Sequence, residues 1–132
     1  MTRAGSLATV AGGVVVLVST TLLAAGQPER FSGANDFQSF CVSCHGTTGT
    51  GDGPFAGSLK KRPADLTALT KKNGGVYPAD AVFKSIDKGH ESASMPAWTE
   101  VFAKSQNSIG AEAAAERVRA LVKYVETLQQ TP

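Results

Sequence analysis

The run Cys41-Val42-Ser43-Cys44-His45 holds both cysteines of the chain and one of its two histidines. No other stretch restricts the fold as strongly. Two cysteines in an exported chain can close a structural disulfide, but a pair separated by two residues suits a redox-active dithiol or a clamp on a prosthetic group better than a staple. A thioredoxin-like centre needs alternating strands and helices around its C-x-x-C, and the chain lacks that alternation. Structural zinc needs four Cys or His ligands. Only His45 and His90 could complete such a set, and His45 adjoins Cys44 too closely for ordinary ligand spacing. The histidine directly after the second cysteine separates the remaining readings, because C-x-x-C-H is the attachment signature of c-type haem. Cys41 and Cys44 lie about one helical turn apart, so both sulfurs can reach the two vinyl groups of one haem. His45 then falls beneath the ring and offers its imidazole to the iron.

The N-terminus sets the compartment. Met1-Thr2-Arg3 supplies a short positive end, residues 7–25 contain no charge, and Ala24-Ala25-Gly26 offers small residues for a peptidase. This resembles a secretory signal peptide cut near Gly26. The uncharged stretch exceeds the ~7–15 residues of a usual signal core and reaches the ~18 of a membrane-span candidate, so an uncleaved anchor is the alternative. Gly12, Gly13, Ser19, Thr20 and Thr21 weaken its hydrophobicity and favour cleavage. Residues 1–26 are thus read as signal peptide or anchor and residues 27–132 as the functional domain, exported to the periplasm and either free or tethered to the membrane. A chain of 132 residues is enough for one small domain. A net charge of +2 with no long basic run argues against nucleic-acid binding. Lys60-Lys61-Arg62 and Lys71-Lys72 read as solvated surface charge.

Beyond the signal the pattern is all-α. Phe31, Ala34 and Phe37 recur at helical spacing and lead into the Cys41 motif. Residues 46–54, rich in glycine, then form a loop whose small residues let the backbone lie close to the haem. Asp65 can cap a short helix over residues 66–72, ended by Asn73-Gly74. Pro78 suits the first position of the next helix, which buries Val82, Phe83 and Ile86 and stops at Gly89. Val118, Leu121, Val122, Val125 and Leu128 mark an amphipathic last helix that begins near residues 109–111.

An electron-transfer haem usually has protein ligands on both faces. The distal candidates are Met95 and His90. Met95 is the only methionine besides the initiator, both its flanks read as loop, and no helical stripe is there for it to join. It is therefore preferred over His90, which suits the end of the preceding helix. A thioether ligand raises the reduction potential. No convincing acid/base or nucleophile constellation is present, so an enzyme is not expected.

Together these residues resemble the class I c-type cytochromes, small monohaem proteins, over residues 31–128. Cys41, Cys44 and His45 match the family's haem motif, and Met95-Pro96 matches its distal segment. Gly33, Phe37 and Tyr124 resemble its helix-crossing residues. The resemblance implies four to five short helices wrapped around one covalent haem c, with iron held by His45 and Met95. It implies that the N- and C-terminal helices cross, with Phe37 against Tyr124. It also implies a backbone carbonyl near Pro63, with Arg62 and Ala64 equally placed, that accepts the His45 ring N–H. Trp98 and Tyr77 are candidates for haem propionate hydrogen bonds or for walls of the crevice. The implied role is one-electron transfer between redox partner proteins, as a free carrier or as a membrane-anchored subunit of a respiratory or dehydrogenase complex. An open-site haem sensor or enzyme is the third reading.

Overall fold

Ser32 opens the first helix, its hydroxyl oxygen accepting from the Asn35 backbone N–H at 3.3 Å. Such a cap satisfies one of the orphan donors of a helix start. The computed structural model describes residues 30–90, 94–105 and 109–130. The segment 1–26, expected to be signal or anchor, lies outside the described residues, as do residues 91–93 on the approach to Met95.

Helix α1 (Gly33–Asp36) passes into a π turn (Phe37–Cys41) and then into α2 (Val42–His45). The helix expected to lead into the motif is therefore continuous, but it widens just before the cysteines. Such π turns cost hydrogen-bond geometry and recur at functional sites.

Asp65 caps the next segment as expected, accepting from the Thr67 N–H at 2.9 Å and the Thr67 hydroxyl at 2.7 Å. That segment is split into a 3₁₀ turn (Leu66–Ala68) and α3 (Leu69–Lys72). In α4 (Ala79–Lys88), Pro78 is the N-cap rather than the first helical residue, and Val82 and Ile86 are buried. Gly89 ends α4 with φ of +63°.

Beyond the expected helices, α5 (Trp98–Ala103) begins shortly after Met95, where the sequence reads as loop. Trp98 and Phe102 supply its inward face at i, i+4 spacing; their rings lie 5.4 Å apart. The last helix, α6 (Gly110–Thr127), starts where the periodicity places it. With residues 33–45 counted as one helix, the described residues form five, and none is long and apolar enough to cross a membrane. The all-α cytochrome c fold is the observed architecture.

α6 is the hub, packing against α1, α4 and α5. Phe37, Phe102, Val118 and Leu121 are fully buried where these helices meet, and each such side chain contributes about 1.5–3 kcal/mol. The terminal helices cross at Gly33. A Cβ there would run into the Ala120 carbonyl oxygen and stand 2.9 Å from the Tyr124 Cβ. With glycine the backbones close up, and the Phe37 and Tyr124 rings meet at 5.2 Å. Across the same seam Arg117 grips Asp36, its Nε donating to one carboxylate oxygen at 2.7 Å and its Nη2 to the other. At the far end, the Gln129 side-chain amide donates to the Leu66 and Val125 carbonyls and accepts from the Thr70 N–H. It ties the end of α6 to residues 66–70.

Two outcomes follow. Gly33→Ala should lower stability by about 1–3 kcal/mol, as overpacking does, read as a lower urea midpoint at unchanged slope. The Asp65 carboxyl is held below the usual carboxylate range chiefly by the Thr67 hydroxyl, with help from the Thr67 N–H and Lys72 and against slight burial. A depressed carboxylate stabilises above its unfolded pKa, and that stability is lost as pH falls through the folded value. Asp65→Ala should therefore cost about 1 kcal/mol near neutrality, a gap that narrows below about pH 4; urea titrations at several pH values measure it.

Candidate functional site

The site begins with the way α2 ends. A helix leaves its last four carbonyls without intrahelical partners, and here the glycine-rich loop supplies all four. Gly46 N–H donates to Val42, Phe55 to Ser43, Gly53 to Cys44 and Gly51 to His45, at 2.8–3.2 Å. A Cβ at Gly53 would stand 2.5 Å from the Val42 carbonyl oxygen, and one at Gly51, where φ is +80°, 2.5 Å from that of Pro63. None of residues 46–54 borders the central cavity. The glycines serve close packing of the loop on the motif helix.

The loop also places the chain that follows it. Leu66 N–H donates to Gly49 at 2.8 Å, and Arg62 Nε donates to Gly51 at 3.4 Å. This brings the Ala64 carbonyl to the His45 ring, where Nδ1–H donates to it at 3.2 Å. Ala64, rather than Pro63 or Arg62, is the acceptor. A carbonyl can only accept, so Nδ1 holds the proton and Nε2 keeps a lone pair, as a metal ligand requires. Burial lowers the His45 pKa against the opposing pull of the Ala64 bond, which favours the neutral ring.

Cys41, Cys44, His45 and Met95 border one cavity of about 450 Å³, within the ~300–1,000 Å³ of ligand pockets. Its walls are largely apolar, with Val82 and Ile86 from α4 and Leu121 and Val125 from α6. No disulfide joins the two cysteines. Burial, then the charges of Asp36 and Cys44, pushes Cys41 up to about 12. A redox-active dithiol needs the opposite, a depressed thiolate, so that reading loses ground.

The distal segment is held by backbone. His90 and Met95 pair in both directions, N–H to O at 2.8 and 3.1 Å. Gly89 lies so close to this pair that a Cβ would meet the Met95 carbonyl and stand 2.5 Å from the Pro96 carbonyl carbon. Ser94 takes φ of +59°, uncommon for a residue with a side chain. His90 borders the same cavity as Met95.

One side chain departs from its sequence reading. Tyr77 does not border the cavity; its hydroxyl donates to the Val122 carbonyl at 2.9 Å, pinning the α3–α4 connection to α6. Trp98 does border it, its ring tilted against Phe40 at 5.5 Å and Phe102 at 5.4 Å. Lys61 and Arg62 are exposed, as their reading as surface charge has it, and also border the cavity. The Asp36–Arg117 pair was not singled out by any pattern, because its members are 81 positions apart.

The residues present fit a covalently attached haem: two thiols and a tautomer-fixed imidazole on one helical run, a thioether across the chain, and apolar walls. Closed over by crossing terminal helices, that arrangement is the one that defines a c-type cytochrome domain. The chain belongs to the family described as cytochrome c oxidase, cbb3-type, subunit III, which matches residues 30–125. No curated protein and no solved structure matches the chain. The family's cofactor is haem c, covalently attached and carrying iron, and its chemistry is haem-based electron transfer.

Tyr77→Phe should cost about 0.5–1.5 kcal/mol, the net worth of one hydrogen bond, and leave the visible spectrum unchanged. A displaced haem spectrum in that variant would put Tyr77 back at the cofactor.

Proposed function

We propose that this chain is a one-electron carrier in which Cys41 and Cys44 hold haem c through thioethers and His45 and Met95 are the axial iron ligands. The observation that carries this reading is the convergence of these four side chains on one apolar cavity. The bound haem supplies an iron that cycles between ferrous and ferric. The chain's own residues bind and tune it. Ala64 holds the His45 ring proton at Nδ1, leaving Nε2 for the metal. The backbone pairing of His90 and Met95 positions the thioether. Filled coordination and buried walls keep rearrangement small as the charge changes, and a thioether ligand raises the potential. Electrons pass to and from redox proteins on the periplasmic side in brief encounters, and the chain makes and breaks no substrate bonds.

A second reading is favoured by one observation, the family description as an oxidase subunit. In that reading the chain stays in a membrane complex, anchored by residues 7–25. An intact mass that retains Met1 favours it, and one beginning near Gln27 favours the free carrier.

The primary test is a redox titration followed by absorption, on wild type and Met95→Ala. Wild type should show a c-type α band when reduced and the weak methionine-to-ferric-iron band when oxidised. The variant should lose the latter, bind carbon monoxide when reduced, and titrate at lower potential. An α band that is absent sinks the reading; an unchanged methionine band in the variant removes Met95 as ligand.

A further inference from the structure

Asp36 and Arg117 hold a position that the crossing of α1 and α6 alone does not require. Asp36 is 7 % exposed, and a buried carboxylate without a partner is costly. Arg117 answers with a two-pronged grip, 2.7 Å at Nε, in the fork geometry that makes such pairs strong. Asp36 in turn holds the guanidinium above its usual range. That guanidinium lies 4.1 Å over the Phe102 ring and 5.3 Å from the Phe40 centroid. Phe40 borders the cavity and packs at a tilt against Trp98, which borders it too. The guanidinium and the carboxylate it grips therefore stand behind the aromatic layer that borders the cavity.

We propose that the Asp36–Arg117 pair is an electrostatic control element for the haem, Arg117 cancelling the Asp36 charge behind the wall so that the potential stays high. This rests on the electron-carrier reading above. Ferric haem carries one more positive charge than ferrous haem. A nearby fixed anion favours the ferric form and lowers the potential, while a fixed cation does the reverse, and both effects are large where the medium is poorly polarisable. As a pair the two charges nearly cancel. Each alone pulls in its own direction.

A purely structural pair behaves differently: losing either member weakens the helix crossing and leaves the potential in place. The test is a spectroscopic redox titration of the haem-loaded protein as wild type, Asp36→Asn, Arg117→Met and the double variant, with the methionine band confirming intact ligation. Asparagine keeps the shape of Asp36, and methionine keeps the apolar stem of Arg117. Asp36→Asn should titrate above wild type, Arg117→Met below it, and the double variant should return to the wild-type value. Singles that leave the midpoint unmoved, or move it in the same direction, overturn the proposal. If Arg117→Met does not fold, the isosteric Asp36→Asn decides by the sign of its shift. Absence of a c-type α band in wild type overturns the functional reading and this one with it, whereas unmoved midpoints with the band present overturn this one alone.

Discussion

Four carbonyl groups at the end of the Val42–His45 helix determine how the rest of the site is built. Each accepted bond adds only about 0.5–1.5 kcal/mol net, but a buried carbonyl left without a donor costs about 1–3 kcal/mol. The loop that satisfies them must lie against the helix end, and only residues without a Cβ can do so at positions 51 and 53. Once there, the loop also receives Leu66 and Arg62 and sets Ala64 beside His45. The protonation of one imidazole is thus decided by the capping of the helix that carries it. The motif supplies the chemistry, and the glycines behind it supply the orientation.

The second constraint is the seam between the first and last helices. It joins residues far apart in sequence, through Gly33 against Ala120 and Tyr124 and through Asp36 against Arg117. Contacts of such separation form only after a long loop has been closed, and they bring cavity walls from α4 and α6 to the motif together. The aromatic layer of Phe40, Trp98 and Phe102 lies under the same seam. Shape and electrostatics at the cavity therefore share their supports. The wall that excludes water also sets how strongly charges behind it are felt.

Much of this was legible in the chain. The motif at Cys41 named the cofactor, Asp65 and Gly89 marked their helix ends, and the stripe from Val118 to Leu128 placed α6. Short-range signals of this kind are carried by neighbours in sequence. What escaped was set by distance. Tyr77 reads as a possible cofactor contact until the fold brings the Val122 carbonyl to it. The role of the loop glycines depends on which backbone they face, and spacing does not say. Asp36 and Arg117 are ordinary helix charges until the crossing pairs them. α5 was hidden by its brevity, since Trp98–Ala103 shows the helical spacing only once, at Trp98 and Phe102.

Gly89 has a consequence for how this sequence can drift. Its φ of +63° already disfavours any side chain, and the Met95 and Pro96 carbonyls fill the space a Cβ would take. Two independent demands meet in one residue, so no compensating change in a neighbour relieves both. The exposed positions of α4, such as Lys84 and Lys88, can be rewritten freely around it. The spacing between the end of α4 and the backbone that carries Met95 is fixed by a hydrogen atom, and residue 89 is a letter with a single permitted spelling.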